Sequence, residues 1–227
     1  MRLVVGDSFR LKAARFEGIV TDPPFRDSIA SNCPVQGGLG AKGFSNERFM
    51  ALAARVTGPD SVMAVVANFP NAAELHALSK APGCPWRWVA TQVWDKRPTR
   101  TWVAWSRPLK CLEYVVWFVR GKGVLDFRDG SLAAPSKRKS FGGAMKAQGG
   151  RRINKARQGM FEELVGIPTP RKRQHPTQKP AGLGKMLARV IGSERRVLDP
   201  FCGSGALLGH FTNGVGIDVK PWWEDPV

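Results

Sequence analysis

Short apolar runs that end in Gly, Asp or Pro recur along this chain, several of them separated by helix-like stretches, and this alternation restricts the fold more than any other feature. Runs of that length suit buried strands, and strands alternating with helices build an α/β protein with a mostly parallel sheet. Strands are expected at 3–5, 18–21, 62–67, 89–94, 114–119, 196–198 and 215–217, a seven-stranded sheet with helices on both faces. Helices are expected at 46–56, 71–79, 183–191 and 206–211, with Pro70 and Asn71 marking the onset of the second. A chain of 227 residues holds one such core with a modest insertion rather than two independent cores.

The stretch 121–173 differs from its surroundings, being rich in Gly, Lys and Arg and poor in apolar periodicity, with one weak helix expected near 158–165. It reads as a small basic insertion between residues 1–120 and 174–227. Across the chain, 35 Lys and Arg against 18 Asp and Glu give a formal charge of +17, which predicts a polyanionic partner, nucleic acid first. Cys33, Cys84, Cys111 and Cys202 lie far apart and lack neighbouring His at ligand spacing, so neither a metal site nor a disulfide framework is expected. No stretch at the N-terminus resembles a signal peptide, and the longest apolar run, 114–119, is too short to span a bilayer. The expectation is a cytoplasmic protein with no membrane partner.

Thr21-Asp22-Pro23-Pro24-Phe25 follows the apolar run at 18–20 and therefore sits at the carboxyl end of a strand, where open α/β sheets bind ligands. Two consecutive prolines fix the backbone and remove two N–H donors, leaving the carbonyls of Asp22 and Pro23 as outward acceptors. An exocyclic amine on a nucleobase is a poor nucleophile because its lone pair is delocalised into the ring. A carboxylate and a carbonyl that both accept from the NH2 group favour a tetrahedral nitrogen and expose that lone pair. Phe25 offers a flat face for a base rotated out of its stack. The competing reading is a strand-ending turn with a core Phe.

Asp199-Pro200-Phe201-Cys202-Gly203-Ser204-Gly205 follows the apolar run at 196–198. Gly203 and Gly205 allow a tight turn and close approach of a ligand to the backbone, although a structural turn is an equal alternative. The loop is neither GxGxxG nor a Walker motif, which argues against a dinucleotide pyrophosphate or a nucleoside triphosphate. Asp218 ends the next strand thirteen residues beyond Gly205, where an acid commonly binds ribose hydroxyls but also serves as a cap or surface charge.

Taken together, these residues resemble the DNA amino-methyltransferases, in the β-class order in which the catalytic motif precedes the cofactor motif. TDPPF at 21–25 is similar to the catalytic motif, HPTQKP at 175–180 to the motif before the cofactor helix, and LDPFCGSG at 198–205 to the cofactor loop. Gly6-Asp7-Ser8, Trp94-Asp95-Lys96 and Glu113-Tyr114-Val115-Val116 match the usual surroundings. The resemblance implies a Rossmann-like methyltransferase fold, circularly permuted, with a catalytic half at 1–120, a target-recognition insert at 121–173 and a cofactor-binding half at 174–227. It departs from the pattern after Asp218, where Val219-Lys220-Pro221-Trp222-Trp223 replaces the usual Tyr-containing helix.

The implied cofactor is S-adenosylmethionine and the implied partner is duplex DNA, with a homodimer left open. Asp22 and the Pro23 carbonyl would hold the target amine, Pro24 would stiffen the motif and Phe25 would stack on the base. Asp199, Phe201, Gly203 and Gly205 would line the methionine end of the cofactor beside Asp22, with Thr177 and Lys179 nearby, Asp218 on the ribose and Asp7 on the adenine amino group. An Asp heading the catalytic tetrapeptide points to N6 of adenine, with N4 of cytosine as the alternative. An RNA or protein amino-methyltransferase and an inactive nucleic-acid-binding relative are the more distant readings. Lys137, Arg138, Lys139, Arg151, Arg152, Lys155 and Arg157 would grip phosphates, and such a segment suggests a short or relaxed target. Of the tryptophans, Trp86, Trp88 and Trp94 are expected mainly in strands and core, and Trp102 or Trp105 on nucleic acid. Restriction-modification systems and phages are the settings in which such enzymes occur, and the small size fits a phage slightly better.

Overall fold

The computed structural model describes residues 1–24, 44–96, 112–128, 164–167 and 178–219. Within them one sheet holds eight strands: β1 (Arg2–Val5), β2 (Phe16–Thr21), β3 (Thr57–Ala67), β4 (Trp86–Asp95), β5 (Leu112–Arg120), β6 (Leu164–Gly166), β7 (Arg196–Asp199) and β8 (Asn213–Asp218). Their order across the sheet is β1-β8-β7-β2-β3-β5-β4-β6. β5 runs against both of its neighbours, β3 and β4, while the other pairs are parallel.

All seven expected strands are present, and two expectations about the sheet need correction. There are eight strands, because Leu164–Gly166 pairs with β4 inside the stretch read as basic insertion. Three residues are too few to display a period-two pattern, so nothing in the sequence announced β6. The sheet is also mixed, since apolar runs reveal a strand but not its direction.

Helices α1 (Asn46–Val56), α2 (Phe69–Ser79) and α3 (Ala181–Ile191) match three of the expected helices. Ser45 caps α1 by accepting from the Arg48 N–H at 3.2 Å, and Asn68 caps α2 by accepting from the Asn71 N–H at 3.1 Å. The helix expected at 206–211 is instead a run of turns, closed by bonds from the Leu208 N–H to the Gly205 carbonyl and from the Phe211 N–H to the Leu208 carbonyl. Gly205 at φ 75° starts it in a left-handed conformation, and Leu207, Leu208 and Phe211 are buried by tight turns rather than by a helical stripe. The helix expected near 158–165 fails at its described end, where Leu164 and Val165 are strand residues; the rest of it lies outside the described residues.

Alternation along the central strands divides the core. Val62, Ala64 and Val66 of β3, with Val115 and Trp117 of β5, pack under α3 through Leu183, Met186, Leu187, Val190 and Ile191. Those five helical positions follow the i, i+3, i+4, i+7, i+8 spacing of one face. Met63, Val65 and Ala67, with Val116 and Phe118, face α1 and α2 through Phe49, Leu52, Val56 and Leu75. The start of the basic stretch joins the first core: Phe127 packs edge-on against Trp117 at 5.3 Å, and the Asp126 N–H donates to the Val190 carbonyl. Trp86 and Trp94 are buried and Trp88 is exposed, stacked near His76; Trp102 and Trp105 lie outside the described residues. No helix among the described residues is long and apolar enough to cross a membrane.

Candidate active site

The parallel strands deliver acidic residues to one edge of the sheet. Asp22 follows β2, Asp199 ends β7 and Asp218 ends β8. Because β5 is antiparallel, its first residues reach the same edge, and Glu113 stands opposite Trp94 near the end of β4. Lys96 follows β4, and Lys179 stands just before α3.

Four of these side chains form a charge network. Lys179 Nζ lies 2.5 Å from Asp22 Oδ2 and 3.5 Å from Glu113 Oε2, and Lys96 Nζ lies 2.8 Å from Glu113 Oε1. Two ammonium groups thus balance two carboxylates, which makes burial of the four tolerable. The side chain of Lys179 is only 12% exposed. Burial alone would lower its pKa, but the carboxylates of Asp22 and Glu113 outweigh it and hold the ammonium above its ordinary value. Burial raises the Asp22 carboxyl, with Lys179 opposing. For Glu113 burial also works against the charge, yet Lys179 and Lys96 together carry it below the ordinary glutamate range.

Beside this network the loop after β7 is tied to β8. The Phe201 N–H donates to Asp199 Oδ1 at 3.1 Å, and the Gly203 N–H donates to Asp218 Oδ2 at 2.9 Å. Gly203 and Gly205 adopt φ of 50° and 75°, as their turn requires. Asp199 is buried, and desolvation pushes its carboxyl up to about 7, with Asp22 and Asp218 adding to the rise. The Phe201 N–H and the Thr21 hydroxyl oppose that rise, although Thr21 Oγ1 completes no hydrogen bond of ordinary geometry. Burial pushes the Cys202 thiol well up, with Asp199 and Asp218 reinforcing it, so it is a poor nucleophile. Phe201 packs among Phe9, Phe44 and Phe49, at ring separations of 5.8, 5.7 and 6.3 Å.

No protein-family model and no curated protein matches the sequence. Solved structures do match in shape. The M1.HpyAVI–SAM complex superposes with a TM-score of 0.64 at 17% identity, over 98% of this chain and 96% of that one. PvuII DNA methyltransferase, cytosine-N4-specific, gives 0.63 at 13% identity over 96% and 82%. The DNA modification methylase TTHA0409 of Thermus thermophilus, complexed with S-adenosyl-L-methionine, gives 0.58 at 21% over 97% and 90%. The fold is similar to that of DNA methyltransferases.

On this methyltransferase-like fold, the catalytic and cofactor motifs expected from the sequence meet at one edge. Asp22, buried Pro23 and half-buried Pro24 adjoin Lys179, and Asp199, Phe201, Gly203, Gly205 and Asp218 form the neighbouring loop and strand end. Asp7 sits at the β1 side of that edge, where its carboxylate accepts from the Phe9 N–H at 2.9 Å and caps the short 3-10 helix Ser8–Arg10. Phe25 and Thr177 lie outside the described residues, as do Lys137, Arg138, Lys139, Arg151, Arg152, Lys155 and Arg157. Glu113 and Lys96 had no role assigned from the sequence. The signal available was a lone carboxylate opening an otherwise apolar strand, Leu-Glu-Tyr-Val-Val, and a Lys closing another.

Proposed function

We propose that this chain is an S-adenosylmethionine-dependent DNA methyltransferase that acts on N6 of adenine. The observation that carries the reading is the meeting of Asp22-Pro23-Pro24 with the Gly203–Gly205 loop at the carboxyl edge of the sheet, the motifs of a methyl acceptor and a methyl donor side by side. The site fits the cofactor. A Cβ added at Gly203 or at Gly6 would meet no atom within 4 Å, so open space lies over both, and Asp218 stands at the end of β8 between them. Asp199, Phe201, Gly203, Gly205, Thr177 and Lys179 would hold its methionine end, Asp218 the ribose and Asp7 the adenine.

When bound, S-adenosylmethionine supplies an electrophilic methyl on a sulfonium. Asp22 and the Pro23 carbonyl accept from the target NH2 group, drawing its lone pair out of the ring and aiming it. Pro24 keeps those acceptors rigid, and Phe25 stacks on the extruded base. The nitrogen gains a C–N bond as the C–S bond breaks, and then releases one proton to become a neutral secondary amine. A thiol nucleophile is not needed, in keeping with the protonated state favoured for Cys202.

The Lys- and Arg-rich stretch supports duplex DNA as the partner, with 121–173 as target-recognition insert between a catalytic half at 1–120 and a cofactor half at 174–227. That order, with the cofactor loop on β7 near the end of the chain, supports a circularly permuted arrangement. Asp at the head of the tetrapeptide favours adenine. The N4-cytosine alternative stands on one specific observation, the superposition on PvuII methyltransferase at 0.63, close to the 0.64 for M1.HpyAVI.

Nucleoside mass spectrometry on unmethylated duplex DNA incubated with the protein and S-adenosylmethionine tests the reading. N6-methyladenine is expected; N4-methylcytosine transfers the assignment to cytosine, and absence of both products overturns it.

A further inference from the structure

Glu113 Oε2 is buried and makes no hydrogen bond, although Lys179 Nζ stands 3.5 Å away. Its other oxygen, Oε1, is held by Lys96 Nζ at 2.8 Å. A buried carboxylate oxygen without a donor forgoes an interaction that buried polar groups nearly always find. The donor it lacks is spent on Asp22 Oδ2, 2.5 Å from the same Nζ. One ammonium therefore faces two carboxylates and fully satisfies one.

This bears on the reaction, given the reading of Asp22 as acceptor for the target amine, on which the inference rests. A short charge-assisted bond from Lys179 occupies Asp22 and competes with any second donor for its electron density. For the amine to engage Asp22 fully, the ammonium needs another anion. We propose that Lys179 is a two-position group and that Glu113 is its positioning residue: as the target amine docks, Nζ passes from Asp22 to Glu113 Oε2. Lys96 fixes the Glu113 carboxylate in place for the exchange.

The geometry keeps the movement small. Closing 3.5 Å to an ordinary charge-assisted length of about 2.8 Å takes under ~1 Å at the tip of a flexible four-carbon stem. No proton changes hands, and the cluster of two carboxylates and two ammonium groups keeps the same net charge before and after. The exchange therefore avoids the large cost of exposing an unpaired charge in a poorly solvated site.

Two measurements test the exchange, and the first does not depend on activity. In a crystal structure of Asp22→Asn, where position 22 carries no charge, Lys179 Nζ is expected within about 3 Å of Glu113 Oε2. An ammonium that stays at position 22, or turns to solvent, overturns the proposal. In the second, Glu113→Gln removes the anion that receives Lys179 while preserving side-chain shape. The expected result is a kcat for methyl transfer to duplex DNA at least 10-fold lower, with the calorimetric Kd for S-adenosylmethionine unchanged. A kcat within twofold of wild type sinks the inference and leaves the methyltransferase reading intact. A wild-type protein that methylates nothing overturns that reading, and the functional role of the exchange with it, while the Asp22→Asn structure still decides where Lys179 goes.

Discussion

Lys179 Nζ lies 2.5 Å from Asp22 Oδ2, joining the residue that follows the second strand to the residue that leads into α3. The contact couples the motif read as methyl acceptor to the helix that covers one face of the sheet, and several measurable consequences depend on it.

Asp22→Ala removes the carboxylate that would hold the target amine. Methyl transfer is expected to fall about 100-fold or more, as for loss of one electrostatic group aimed at a reacting atom. Calorimetric binding of S-adenosylmethionine should stay near normal. Retained turnover would contradict the role given to Asp22.

Lys179→Met leaves Asp22 and Glu113 facing each other without the ammonium between them. Because both carboxylates keep some contact with solvent, the expected loss is about 1–3 kcal/mol, below that for a fully buried pair. In the wild type Glu113 is held below its ordinary 4.5, so its contribution is present above that pH and is lost as pH falls through the folded value. The gap between variant and wild type in urea denaturation should therefore be widest near pH 7 and close toward pH 4, where both carboxylates take protons.

Asp199 shows the opposite sign. Its folded carboxyl titrates near 7 against an ordinary 3.8, so the folded state holds a proton that the unfolded chain releases. Its contribution is complete below the ordinary value and is lost as pH rises to about 7, an effect of roughly 4 kcal/mol at most. Asp199→Asn should gain stability relative to wild type between pH 5 and pH 8. A constant difference across that range would show that Asp199 is ionised throughout.

Gly203→Ala separates the fold from the proposed cofactor site. The added Cβ meets nothing within 4 Å, so the stability cost is that of a φ of 50°, about 1 kcal/mol. The methyl group enters the space over the loop, and the Kd for S-adenosylmethionine is expected to rise about 10-fold, equivalent to about 1.4 kcal/mol. By contrast, Gly216→Ala would press a Cβ to 2.6 Å from Leu3 Cδ2 and 2.8 Å from Cys202 Cβ, and should destabilise the fold itself by about 1–3 kcal/mol.

Much of this site was legible in the chain because its signals are local. Asp22-Pro23-Pro24 announces a rigid strand end through proline chemistry, and Gly203 and Gly205 announce a turn through backbone freedom. The expected helix at 206–211 failed because Leu207, Leu208 and Phe211 are apolar enough for a helical stripe, while Gly205 sets a left-handed start that local composition does not rank against it. β6 was hidden because three residues carry no period, and its pairing with β4 is a contact between segments far apart in sequence.

The sequence by itself determined which segments are strands, because alternation and apolar runs record burial residue by residue, and which residue types stand at the strand ends. Only the tertiary structure decided that β5 runs against its neighbours, since direction depends on how chain segments meet in space. That reversal carries Glu113 to the edge where Asp22, Lys96 and Lys179 converge. The charge network exists because burial makes each charge require a partner, and no local pattern specifies which distant residue that partner is.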